Sequence, residues 1–233
     1  MEASDAKNVL DVGTGTGDWA LDVSDANADI EIIGTDLAAI QPNSILGNVI
    51  FYVDDANYPT WGWDNRFDFV HMRGLNGGIK KWTVTLQAAF CCLHAGGWIE
   101  VSDMEFHPAG PLAPDSVWFD WYRMLEVLTD AAGLDVGIHK NGHGQHELEK
   151  LGYQFPEQSR REYPVGYETH VYDDHSLLVC VVEQMKGTLA RAMEFVPWSA
   201  RLDDLMRRLE TEILDKGLII EVNRIIAQKP SGR

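Results

Sequence analysis

Three glycines, Gly13, Gly15 and Gly17, occupy alternate positions in NVLDVGTGTGDWA (8–20), directly behind a short apolar run. Glycine is costly inside regular structure, so this density marks a backbone shaped around something. Carboxylates recur nearby. Asp11 precedes the glycines, Asp36 closes DIEIIGTD (29–36), and Asp54 and Asp55 close NVIFYVDD (48–55), with Ala56 next. The dinucleotide pattern G-x-G-x-x-G is not met, because the third glycine comes one residue early and Asp18 stands where glycine belongs. The phosphate loop G-x-x-x-x-G-K-[ST] is not met either, because no lysine follows the glycines.

An acid ending the second strand can accept both hydroxyls of a ribose. Asp55, ending the third, can take an adenine amino group, and Asp11 can hold an ammonium group. An acidic nucleoside pocket suits a cationic ligand without phosphate, and S-adenosylmethionine (SAM) has that character: an adenosine, a sulfonium and an amino acid. Methyl transfer from a sulfonium is an in-line displacement. It asks the protein for alignment and dryness, and for a base only where the nucleophile carries a proton. Of the eight histidines, His71 is best placed to be that base, at the carboxyl end of RFDFVHM (66–72). Trp118, Trp121 and Tyr122 could wall an apolar substrate, although their helical spacing also suits a core. His139, His143 and His146 lie in IHKNGHGQHE, which reads as a mobile glycine-bearing loop; no cysteine joins them and no metal site is expected.

The elements that must position these groups alternate. Strands are expected at 8–12, 29–36, 48–55, 66–72 and 97–103, with helices from about 17 to 24 and over 83–97. That rhythm implies a parallel sheet with covered faces. A proline-rich connector (105–114) precedes a helix at 115–133, with Asp115 as N-cap and Gly133 as stop. Further helices are expected at 144–153 and 175–194, with a strand between them. In 199–217, Leu202, Leu205, Met206, Leu209, Ile213 and Leu214 form one stripe, Ser199 is a ready N-cap, and Asp203–Arg207 and Asp204–Arg208 can pair. A long strand (218–228) closes the chain.

The 233 residues suffice for one core with an elaboration. A net charge of −17 repels phosphate backbones and anionic lipid, so neither a nucleic-acid nor a membrane partner is expected. The three cysteines fit neither a disulfide framework nor a zinc site; they read as buried, reduced thiols of an intracellular protein, in cytoplasm or nucleus. The opening MEASDAK does not read as a signal peptide.

VLDVGTGTGDWA, GTDLAAIQP, FYVDDA, FDFVHMRGLNGGIKKW, AGGWIEVSDMEF and the closing NRIIAQKP together resemble the LaeA-like fungal methyltransferases. The resemblance covers nearly the whole chain and is most specific between 8 and 106. It implies a class I SAM-dependent α/β fold: a Rossmann-like, seven-stranded, mostly parallel sheet with the last strand antiparallel. It implies that Gly13, Gly15, Gly17, Asp36, Asp55 and Ala56 line the SAM site, and adds His71, Met72 and Arg73 between cofactor and substrate. Asp11, Thr14, Leu37 and Asp54 complete the expected cofactor set. One domain is expected, with 105–195 as a substrate cap. Members carry a long helical segment ahead of the first strand, whereas seven residues precede Asn8 here, so cover is expected from 105–195, a homodimer or a protein partner. Three functions follow from the resemblance: methylation of a small molecule of secondary metabolism, a regulatory subunit in a protein complex, or a pericyclase-type enzyme that retains SAM without spending its methyl group.

Overall fold

The computed structural model describes residues 6–42, 47–165, 180–183, 185–187 and 199–232. NVLDV forms β1 (Asn8–Val12), and β2 (Glu31–Asp36), β3 (Val49–Val53) and β4 (Phe67–Arg73) follow. Then come β5 (Leu93–Pro108), β6 (Gln154–Val165) and β7 (Leu218–Gln228), in the sheet order β3-β2-β1-β4-β5-β7-β6. β1 pairs in parallel with β2 and β4, β2 with β3, and β4 with β5. β7 is antiparallel: Gly96 N–H donates to Lys229 O while Lys229 N–H donates to Gly97 O. The order reverses between β1 and β4, where an open α/β sheet leaves a crevice beyond its carboxyl ends.

Strands inside a parallel sheet are covered on both faces, hence their near-continuous apolar runs. Alternation sends Leu10, Val12, Val70 and Met72 to one buried core with Trp82 and Leu86. It sends Val9, Ile32 and Phe69 to another, with Ala20 and the partly buried Trp19 of α1 (Asp18–Ala26). Asp11 and His71 share the parity of Val9 and Phe69, so they end that apolar face on a polar note.

The chain divides into two compact units: residues 1–103, 135–159 and 223–233 form the first, and 104–134 with 160–222 the second. The first holds α2 (Trp82–Cys92) and α4 (His143–Lys150). The second holds α3 (Val117–Ala132) and α5 (Ser199–Lys216), whose core gathers Trp118, Trp121, Met124, Leu205, Leu209 and Ile213. Residues 180–183 and 185–187 are helical, and the rest of the helix expected at 175–194 lies outside the described residues. Among the described residues, no helix is long and apolar enough to cross a membrane.

Several expectations are corrected. The helix at 83–97 stops at Cys92, and β5 starts at Leu93 and runs on to Pro108, taking in the front of the expected connector. The fifth strand is long because it reaches past Asp103 into the second unit. The N-cap of α3 is Ser116, not Asp115: its hydroxyl accepts from Trp118 N–H at 3.3 Å. On α5, Arg207 pairs with Asp204 and Arg208 with Asp120, in place of the expected i,i+4 pairs, while Leu214 is exposed. Of the cysteines only Cys92 is buried; Cys91 faces out from α2, and Cys180 is exposed as well. Burial pushes the Cys92 thiol up to about 12. Residues 140–142 form a 3₁₀ turn leading into α4 at His143, not a loop, because His139 is anchored in the interior.

Candidate functional site

The turn after β1 is left-handed at all three glycines, with φ of 72°, 59° and 86° at Gly13, Gly15 and Gly17. Gly17 also has a packing reason to be glycine. A Cβ there would stand 2.5 Å from Cζ of Phe51, whose ring fills the space beneath the turn.

Four amides of this turn are spent within the protein. Gly13 and Thr14 N–H donate to Thr35 O at 2.8 and 2.9 Å, and Gly17 N–H to Thr14 O at 2.9 Å. Gly15 N–H donates to Asp36 Oδ2 at 2.8 Å. A turn that cradles phosphate must hold its N–H groups toward the ligand. Here those four turn inward, one of them onto a carboxylate, so at these positions the loop offers shape and negative charge rather than an anion nest.

Asp36, the last residue of β2, also accepts from Ala38 N–H at 2.9 Å through Oδ1. Each carboxylate oxygen takes two hydrogen bonds, so a place remains on both for a diol. Gln41 ties the turn from the far side, its amide donating to Gly15 O at 2.6 Å. Beyond β3, Asp54 N–H donates to Asp36 O at 3.0 Å and Asp54 Oδ1 accepts from Asp55 N–H at 2.8 Å. Asp55 Oδ1 takes two bonds from Asn57, and the Ala56 carbonyl accepts from Thr85 Oγ1 at 3.1 Å. Leu37 projects outward, 66% exposed, beside this row of acids.

Asp11 and His71 are register partners on β1 and β4, both nearly fully buried, with Asp11 Oδ1 2.7 Å from His71 Nδ1. Thr14 Oγ1 donates to the other carboxylate oxygen at 2.6 Å. Trp19 stacks on the imidazole with ring centres 3.8 Å apart and planes 12° from parallel. A carboxylate at Nδ1 fixes the neutral imidazole with its proton there, which leaves Nε2 as the acceptor of a proton. Next along β4, the Met72 side chain is wholly buried in the core and Arg73 is exposed.

The first unit holds a second buried pair. His139 Nε2 lies 3.0 Å from Asp103 Oδ2 at a point on β5 where Asn76 N–H binds the other oxygen at 2.9 Å. In the second unit, Trp118 and Trp121 are spent on the core, and of the three aromatic candidates only Tyr122 presents surface.

The structure thus gathers Asp11, Gly13, Thr14, Gly15, Gly17, Asp36, Asp54, Asp55, Ala56 and His71 at the carboxyl ends of four adjacent strands. The sequence reading missed Trp19, Phe51, Gln41, Asn57 and the Asp103–His139 pair. Trp19 alone left a signal, as an aromatic residue two places past the last glycine. The others follow from which loops meet across the sheet.

A family model described as a methyltransferase domain matches residues 2–161. Over 131 residues, 54% of this chain and 40% of the other, the chain is 40% identical to the methyltransferase pytC of Aspergillus terreus. Over 129 residues, 53% of this chain and 42% of the other, it is 36% identical to the secondary metabolism regulator LAE1 of Cochliobolus heterostrophus. The chain spans about two fifths of the length of these relatives. In fold it is similar to the YcgJ protein of Bacillus subtilis, with a TM-score of 0.61 at 16% identity, covering 99% of this chain and 95% of the other. It is also similar to phosphoethanolamine N-methyltransferase 2 of Haemonchus contortus, solved with SAM, with a TM-score of 0.55 at 18% identity, covering 96% of this chain and 49% of the other.

Proposed function

The chain belongs to the methyltransferase-domain family, and from that membership we propose that it is a SAM-dependent methyltransferase acting on a small molecule of secondary metabolism. The observation that carries the reading is the inward-turned glycine loop, whose Gly15 amide is held by the Asp36 carboxylate. That arrangement puts a carboxylate where a diphosphate would want an amide, and keeps acceptors for a ribose. The name of LAE1, a secondary metabolism regulator, supplies the metabolic setting.

In this reading Asp36 accepts the ribose hydroxyls, Asp55 and Ala56 border the adenine, and Asp11 and Thr14 border the amino-acid end. Leu37 covers the nucleoside, while Met72 contributes backbone only and Arg73 flanks the acceptor side. SAM supplies the activated methyl group. His71, its tautomer set by Asp11, holds Nε2 ready to take the proton of an acceptor hydroxyl or amine.

The test is methyl transfer from methyl-tritiated SAM into a fungal metabolite extract, followed by separation of small molecules from protein. Label in the small-molecule fraction, with equimolar S-adenosylhomocysteine (SAH), supports the reading. Label confined to protein, or product formation without SAH, contradicts it.

A further inference from the structure

Glu105 and His107, two residues apart on β5, and Glu221 on β7 bring their side chains together in the second unit, with one ligand atom from each within 4.8 Å of the others. His107 Nε2 is 3.8 Å from Glu105 Oε2 and 3.5 Å from Glu221 Oε2. Both separations are too long for a hydrogen bond. The nitrogen is nevertheless shut off from solvent and has no hydrogen-bond partner among the described residues. A buried imidazole nitrogen facing two carboxylates at that distance calls either for its own proton or for a cation between them. Ligands held about 2.0–2.1 Å from a tetrahedral ion sit roughly 3.3 Å apart, close to the spacing seen here.

The surroundings agree. Tyr122 Oη lies 3.4 Å from His107 Nδ1 on the far side of the ring, so Nε2 is the nitrogen aimed at the acids. The Glu221 side chain is only 7% exposed, and its Oε2 is also paired with the guanidinium of Arg160. That guanidinium is itself shared with Glu162, 2.6 Å away. One imidazole and two carboxylates form a donor set suited to Zn²⁺ and its first-row neighbours rather than Mg²⁺ or Ca²⁺.

We propose that Glu105, His107 and Glu221 bind one first-row divalent cation of the zinc class, fastening β5 to β7 within the second unit. The site does not depend on the methyltransferase reading. Because Arg160 competes for the same Glu221 oxygen, its removal tightens the site.

Cobalt(II) titration of the whole chain, followed by visible absorption, reports the site directly. The expected result is one equivalent of Co²⁺ with the intense visible bands of a low-coordinate ion, displaced by Zn²⁺. His107→Ala and Glu105→Gln each weaken binding by at least about 10-fold. Arg160→Gln binds at least as tightly as the parent, and His143→Ala, outside the cluster, binds like the parent. Circular dichroism of each variant confirms that it is folded. Should His107→Ala fail to fold, Glu105→Gln decides, since Glu105 is only partly buried. No saturable band in the parent chain, or parent-like binding in folded His107→Ala or Glu105→Gln, overturns the proposal and shows His107 to be a protonated partner of the two glutamates.

Discussion

Asp11 Oδ1 and His71 Nδ1 meet at 2.7 Å across neighbouring parallel strands, and Trp19 closes the imidazole from the helix side. The pair stands on the strand face that is otherwise apolar, at its carboxyl end. A buried carboxylate with one imidazole and one hydroxyl fixes which nitrogen carries the proton. Asp11→Asn keeps the shape and loses the charge. It is expected to lower stability by about 1–3 kcal/mol in denaturant unfolding, and methyl transfer by at least about 100-fold, since the wrong tautomer removes the base. A folded Asn variant with full turnover would remove His71 from the chemistry.

Asp36→Ala is expected to leave a ribose diol poorly paired and the Gly15 amide without its carboxylate. A lost charge-assisted hydrogen bond is worth about 1.5–3 kcal/mol, or roughly 10- to 100-fold in SAM affinity. Calorimetry showing unchanged affinity would defeat the ribose assignment.

Two glycines of the same turn should separate conformational cost from packing cost. Gly15→Ala places a methyl group in open space at φ 59°, so its cost is that of a left-handed residue, about 1–2 kcal/mol. Gly17→Ala adds a collision with the Phe51 ring and should cost about 1–3 kcal/mol more. Equal melting temperatures for the two variants would contradict the structure of the turn.

Glu212 of α5 caps α3 within the second unit, accepting from Ser116 Oγ at 2.8 Å and Val117 N–H at 2.9 Å. Partial burial acts to raise its pKa, but these bonds and Lys216 together hold it below the ordinary carboxylate value. A carboxyl whose pKa is lower in the folded state stabilises above its unfolded pKa, and that stability is lost as pH falls through the folded value. Glu212→Gln is therefore expected to cost about 1 kcal/mol at neutral pH, a shift of roughly 2–4 °C in melting temperature. The variant should also lose less stability than the parent between about pH 6 and pH 3. Parallel acid limbs for parent and variant would show that the cap is electrostatically idle.

Local signals located β1 to β4 and β7 to within two residues, because a short apolar run bounded by glycine or aspartate carries its own period and its own stop. The glycine turn was legible for the same reason. The sequence misled where tertiary pairing decides. Leu93 to Gly97 looked like a helix end but extends as a strand because β4 and the chain after β7 pair with it. Ser116 displaced Asp115 as cap because Glu212, nearly a hundred residues away, holds the Ser116 hydroxyl. The glycines around His139 suggested a loop, whereas Asp103, 36 residues earlier, anchors that histidine in the interior. Trp118 and Trp121 could serve a wall or a core on helical spacing alone; packing with Met124 and Leu209 makes them core.

Calorimetric titration of the purified chain with SAM, and separately with NADH, decides whether the glycine turn and its acids hold SAM. The expected result is saturable binding of one SAM per chain, weakened in Asp36→Ala, with no heat from NADH. Binding of NADH in place of SAM, or no SAM binding by a folded chain, would contradict it.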